Sequence, residues 1–567
     1  MTRWIFALLV FLLLAEAGAQ EPRTVFINVN VLTMAQPDIR LNQAVIVRGN
    51  RIDQVLPTAR FQRRAGDHII DGDGQFLLPG LVDSHIHIDH PQDLKMLALY
   101  GVTSAVNMRG LPWHLRLRDR IRSEGIFSPD FLTGGDYLDG DPPNMLPMSS
   151  VKGPDSARRA VGQMHAAGYD FIKVYSELSR EQYLAVCQRS RELGTTVVGH
   201  VPDAVSLDDL TRCPHLNVAH GEQLFKVLES REDRQEIKRM LGTLTDAGIT
   251  FTANMAGHAE GARMPFDLDQ LVNRPEAALI HPATFQPYRP GINRYARRGE
   301  DWAERVQKSA DDVAVISALA VTVNPAMLVA GSDMPVAGCY PGASLLSELD
   351  AFRRAGLTAN QALAAATVHA GRLMRQLNPA YPVVGVVQTG ARADLVLVRN
   401  NPLDDLDQLG DPAGVMLRGL WYDADRLGAI RNDLRRSNQQ LDPKVRALET
   451  AVFSRDMDEA ARLFRQYRSE DPDVVLFAQY PFFFFGFSLL YGEGGLTRDP
   501  EQARKALLLY DMVRQTYPEV HSSHHVYGLA LEATGDGAAA RKAQLKALEI
   551  FPEFPPAREA LERLAGD

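Results

Sequence analysis

From Thr24 to Leu56 apolar and polar positions alternate, in "VFINVNVLTM" and "QAVIVRGNRIDQVLP", with β-branched residues at period two and turn residues between them. This pattern predicts short antiparallel strands. A similar texture returns at "GVVQTGARADLVLVRNNP" and "GVMLRGLWYDADRL" after a long stretch of different character. Residues 20–79 and 381–430 are therefore expected to complete one small β-sandwich around an inserted domain.

The insertion, 80–380, shows short apolar runs each followed by an amphipathic stretch, the order of repeated βα units. The runs are "GLVDSHIHI", "GVTSAVNM", "DFLTGG", "DFIKVYS", "TTVVGHV", "LNVAHGE", "GITFTANM" and "MLVAGSDM". With helices expected at Asp155 to Ala167, Arg180 to Leu193 and Ala303 to Ala320, the fold class is α/β and the architecture a closed (β/α)8 barrel. A doubly wound open sheet is the alternative, but no Gly-rich phosphate loop follows the first strand.

Beyond 431 helical periodicity takes over. Ala460, Ala506 and Ala540 are each followed by a proline at the same offset, Pro472, Pro518 and Pro552. Gly528, Gly535, Ala540, Ala547 and Pro552 fall at spacings that resemble the tetratricopeptide pattern. A helical-repeat domain over 431–567 is expected, either as a cap on the barrel's flank or as a surface for a protein partner. The run "PFFFFGF", Pro481 to Phe487, reads as packing between those helices.

Composition narrows the classes. The 567 residues and 62.7 kDa exceed one compact domain, and 45% hydrophobic with 23% charged residues is ordinary for a folded protein. A net charge of -9 supplies no basic field for nucleic acid. Cys187, Cys213 and Cys339 are too few for a thiolate metal site and allow at most one bridge. Arg3, the apolar run Trp4 to Ala15 and the small-residue site Ala17-Gly18-Ala19 read as a signal peptide cut after Ala19, which implies export to a periplasm or the medium. A membrane anchor is the alternative, but the run is shorter than the ~20 residues that span a bilayer.

The chemistry-bearing residues sit at the ends of the expected strands. His85 and His87, two apart, face the same way and can reach one metal ion. Lys173, His200, His220 and Asp333 end later strands, and in a barrel all six side chains meet at one mouth. Lys173 is one of ten lysines among 61 basic residues and lies in an apolar strand, where an ammonium is costly. It pairs with a barrel carboxylate or, after reaction with carbon dioxide, becomes a carbamate able to bridge two metal ions.

In order and spacing, "FLLPGLVDSHIHI", "GVTSAVNM", "FIKVYS", "VAHGE" and "AGSDMPV" resemble the amidohydrolase superfamily, in its imidazolonepropionase-like and metal-dependent dipeptidase branch, over about residues 24 to 425. The resemblance implies that His85, His87 and Asp333 hold a buried metal, that His200 and His220 hold a more exposed one, and that carboxylated Lys173 bridges them. Zinc is the default for these nitrogen and oxygen ligands. It further implies hydrolysis of an amide, in a peptide or N-acyl amino acid, by a metal-bridging hydroxide, with Asp333 as general base and then general acid or as a ligand only.

Tyr137, Tyr175, Tyr288 and His258 are candidate pocket residues, whereas His90, His114 and His215 fall off the ligand pattern. Asp136, in "GGD" where relatives carry "GGH", would disfavour a substrate carboxylate. A cyclic amide or lactone substrate, or a non-catalytic scaffold working through its helical repeats, are the competing functions.

Overall fold

The computed structural model describes residues 22–143, 149–336, 338–492 and 495–566. The expected signal peptide, 1–19, lies outside the described residues. No helix among them is long and apolar enough to cross a membrane.

The two β-rich stretches do come together. Strands Arg23–Leu32, Ile39–Arg48, Arg51–Pro57, His68–Asp71 and Phe76–Pro79 share one eight-stranded sheet with Leu395–Val398, Gly414–Leu417 and Leu420–Asp423. The junction is antiparallel, with Leu395 opposite Pro79 and Val398 opposite Phe76. Its buried face is the alternating set predicted by the sequence, with Phe26, Val29, Val31, Val45 and Val47 packed on Leu395, Leu397 and Met416.

Between these stretches lie the parallel strands. Leu81–Ile86, Val102–Asn107 and Asp130–Thr133 form one parallel sheet, while Phe171–Val174, Thr196–Gly199, His215–Ala219, Thr250–Thr252 and Leu328–Val329 belong to a second. All eight apolar runs thus hold a strand. Parallel bridges Gly134 to Phe171 and Ile86 to Met334 join the two sheets at both edges, with the Asp333 N–H donating to the His85 carbonyl at 2.8 Å. The strand ends that carry the candidate residues therefore face one side.

Outer helices follow local signals. Arg180–Leu193 begins at Ser179, whose hydroxyl accepts from the Gln182 N–H while the Gln182 side chain returns to the Ser179 N–H, and it stops at Gly194 in the left-handed region. The disulfide Cys187–Cys213 ties this helix to the turn before strand His215–Ala219. Cys339 is buried and unpaired.

The C-terminal helices are Ala424–Phe453, Met457–Glu470, Gln479–Leu490, Pro500–Thr516, His521–Ala533, Gly537–Ile550 and Pro555–Gly566. Ala460, Ala506 and Ala540 are wholly buried in the second, fourth and sixth of these, each of which ends just before Pro472, Pro518 or Pro552. A small buried residue admits close helix contact and the proline stops continuation. These helices have their own core and are clamped to the parallel unit by ion pairs of Arg289 with Asp442 and Glu449 and of Arg159 with Glu553.

Candidate metal and substrate site

His85 is the penultimate residue of the first parallel strand, Leu81–Ile86, and His87 follows the strand, so the period-two spacing places both toward Asp333. His87 Nε2 lies 3.0 Å and His85 Nε2 3.2 Å from Asp333 Oδ1, and His220 Nδ1 lies 3.9 Å from Oδ2. The His85 contact is off the hydrogen-bonding direction, and both its ring nitrogens are buried without a hydrogen-bond partner. His85, His220 and Asp333 offer ligand atoms all within 4.8 Å of one another. His220 and Asp333 both adopt positive φ, 68° and 57°, a conformation that non-glycine residues hold at a cost of order 1–3 kcal/mol and that concentrates at functional sites.

His200 completes the cluster. Its ring centroid is 5.1 Å from that of His220, Ser176 Oγ lies 3.0 Å from its Nδ1, and its buried Nε2 has no hydrogen-bond partner. His87 is held similarly, with the Tyr137 hydroxyl 3.1 Å from Nδ1. In both rings one nitrogen is anchored, which fixes the ring and aims the other inward, as metal-ligating histidines require. Lys173 is 1% exposed and forms no ion pair among the described residues, and burial lowers its ammonium to about 7. Burial likewise holds His85 and His200 well below the ordinary histidine range, in the neutral form that binds metal. Burial alone would raise Asp333, but His85 and His220 beside it hold the carboxylate well below its usual range. The neutral imidazoles, the unpartnered nitrogens and the one carboxylate fit divalent metal ions.

The six candidate ligands thus converge, but the pocket candidates divide. Tyr137 and Tyr175 line the cavity over the cluster, and Tyr175 stacks on His200 with ring centroids 3.8 Å apart. Asp136 does not meet the substrate-selecting role expected of it. It is buried, accepts from Arg109 Nε at 2.9 Å and from the Ser149 hydroxyl at 3.3 Å, so its charge is matched within the protein. Tyr288 is buried away from the cavity, its hydroxyl donating to the Cys339 and Pro335 carbonyls. His258 does not line the cavity either. Burial opposes its charged form, but Glu222, 3.4 Å away, raises it to about 9. His90 caps a helix, while His114 and His215 are buried in backbone hydrogen bonds.

Several residues were not singled out by sequence. Arg109 follows the second parallel strand and lines the cavity with its guanidinium 4.9 Å from the Tyr480 ring centroid and 5.8 Å from that of Tyr137. Gln479, Tyr480, Phe484 and Phe485, from the C-terminal helices, also line it. The "PFFFFGF" run therefore divides: Phe482 and Phe483 are buried as expected, while Phe484 and Phe485 face the cavity. Asp83 had a readable signal, since it continues the period-two series of His85 and His87.

No protein-family model matches the chain. Among solved structures it is similar to bottromycin amidohydrolase, at 24% identity and a TM-score of 0.57, covering 73% of this chain and 90% of that one. It is also similar to a Xaa-Pro dipeptidase with bound methionine, at 17% identity and a TM-score of 0.55, covering 71% of this chain and 100% of that one. The chain shares the fold of these two enzymes. Sequence relatives are two adenine deaminases, from Staphylothermus marinus (31% identical over 96 residues, 16% of each chain) and Cenarchaeum symbiosum (26% over 156 residues, 26% of this chain and 25% of that one). The chain thus spans a quarter or less of the length of these curated relatives.

Proposed function

We propose that the protein is an exported, metal-dependent hydrolase that cleaves an amide bond in a peptide or N-acyl amino acid, on a (β/α)8 barrel flanked by a small β-sandwich and a tetratricopeptide-like C-terminal domain. The observation that carries this reading is the meeting of His85, His220 and Asp333 with unpartnered histidine nitrogens beside them. In this reading His85, His87 and Asp333 hold one divalent ion, His200 and His220 a second, and Lys173 as a carbamate joins them, with zinc the first choice. The ions supply, when bound, acidification of water and polarisation of the substrate carbonyl.

The protein's own groups account for the rest. Burial that lowers Lys173 to about 7 provides the unprotonated amine that carbon dioxide requires. Asp333, kept ionised by its histidines, accepts the proton of the attacking water and hands it to the leaving nitrogen. Tyr137 orients His87, and Tyr175 shields His200 from the opening. The disulfide Cys187–Cys213 accords with an oxidising compartment and so with export.

A metal assay with a hydrolysis screen tests the reading. About two ions per chain, and cleavage of dipeptides or N-acyl amino acids that Lys173→Ala and Asp333→Asn abolish, support it. A metal-free protein without hydrolytic activity refutes it in favour of a scaffold. The adenine deaminase matches favour a second reading, attack on a cyclic amide or amidine at the same site, which a screen of linear against cyclic substrates separates.

A further inference from the structure

The cavity over the cluster encloses about 1320 Å³, larger than the ~300–1,000 Å³ of most small-ligand sites and roomier than a dipeptide needs. Part of its wall comes from outside the parallel unit: Phe453 at the end of helix Ala424–Phe453, and Tyr480, Phe484 and Phe485 from helix Gln479–Leu490. Phe484 keeps 39% of its surface exposed although its neighbours Phe482 and Phe483 are wholly buried. Its ring stacks along Tyr480 at 6.3 Å, and Phe485 meets Phe453 edge-on at 4.9 Å.

This wall is fixed in place and continuous with the cluster. The Ala478 N–H, at the helix start, donates to Gln286 Oε1 at 3.1 Å, and Tyr517 Oη donates to the Phe477 carbonyl at 2.6 Å. From Tyr480 the contacts run through Arg109 to Tyr137 and then to His87. Arg109 is matched by Asp136 and also donates to Gln479 Oε1 at 3.3 Å, so its own charge is compensated where it lies between the rings of Tyr480 and Tyr137. An aromatic surface next to a polar reaction centre recognises an apolar, preferably aryl, group by burial and ring packing.

We propose that the C-terminal helices form a distal substrate subsite, in which Tyr480, Phe484, Phe485 and Phe453 hold an aryl-bearing substituent of an amide whose scissile bond lies at the His85–Asp333 cluster. The proposal rests on the hydrolytic reading above for the reaction, but not for the binding. The helical appendage is then a selector of substrate.

The test uses the full-length, metal-loaded protein with N-acetylglycine, N-acetylphenylalanine and N-(4-phenylbutanoyl)glycine. The expected result is at least a tenfold higher kcat/KM for one of the aryl amides than for N-acetylglycine, carried by KM. In Phe484→Ala that preference falls at least tenfold. Phe484 is exposed enough for its loss to leave the fold intact, and Leu545→Ala, on the outer helix Gly537–Ile550 and 49% exposed, controls for general effects by retaining the preference. Absence of an aryl preference, or its survival in Phe484→Ala, overturns the subsite. If none of the three amides is cleaved, the N-acyl amino acid part of the hydrolytic reading fails separately, and calorimetric binding of the same compounds decides the subsite: aryl-selective binding lost in Phe484→Ala supports it, and equal binding overturns it.

Discussion

Ser332 is bound twice to Asp83, its hydroxyl donating to Oδ2 at 2.6 Å and its backbone N–H to Oδ1 at 2.9 Å. Asp83 Oδ1 also accepts from the His85 N–H at 3.2 Å. One wholly buried carboxylate thereby locks the strand that carries His85 and His87 to the segment that carries Asp333, which are 246 residues apart for His87 and Asp333.

Asp83→Ala is expected to loosen that lock without removing a candidate ligand side chain. It leaves three interior donors, the Ser332 O–H and N–H and the His85 backbone N–H, without their acceptor, a loss of ~1–3 kcal/mol for each buried group left unsatisfied. Metal content measured by emission spectrometry should fall, and hydrolytic turnover should drop at least tenfold; wild-type metal content in this variant would remove the positioning role.

Gly199 closes the strand before His200 with φ of 123°, and a Cβ there would stand 2.3 Å from the Val174 carbonyl oxygen and 2.9 Å from Lys173 Cδ. Gly199→Ala combines a backbone conformation that alanine rarely adopts with a clash against main chain, and should cost more than ~2 kcal/mol. Thermal unfolding reads the loss. An unchanged midpoint would mean that strand and lysine can shift at little cost.

Reduction of Cys187–Cys213 should destabilise the parallel unit. The bridge closes a loop with a sequence separation of 26, for which the chain-entropy relation gives about 3.5 kcal/mol. Differential scanning with and without reductant, and the Cys187→Ser/Cys213→Ser variant, should agree on a lowered midpoint.

Glu348 is wholly buried and its carboxyl is pushed up to about 7 by desolvation, despite accepting from the Ala256 N–H at 2.8 Å. A carboxyl whose folded pKa exceeds its unfolded value favours the folded state at low pH, and that contribution is lost as pH rises from about 4.5 towards 7. The loss amounts to ~3 kcal/mol. Glu348→Gln, neutral at every pH, should flatten the fall in unfolding midpoint across that window; an identical pH profile would exclude Glu348 as its source.

The eight parallel strands were legible because each is a short apolar run, and the candidate ligands stood out because histidines, a lysine and an aspartate recur at the ends of those runs. Period-two alternation likewise announced both halves of the first sheet. Asp136 was misread because its partner Arg109 lies 27 residues away, and no periodicity couples the two. The roles of Phe484 and Tyr480 were hidden for the same reason: a phenylalanine run has one composition whether it packs inward or faces a cavity.

By itself the sequence determined which segments bury an apolar face, where chain reversals and helix caps fall, and which side chains have the chemistry to bind metal, because these depend on local spacing and residue type. The tertiary structure decided which charges are neutralised by a neighbour, which histidine nitrogens are left without a partner, and which distant helix supplies the cavity's aromatic wall. Those outcomes depend on contacts between residues tens to hundreds of positions apart. Burial and electrostatics act through space, and local spacing along the chain carries no record of them.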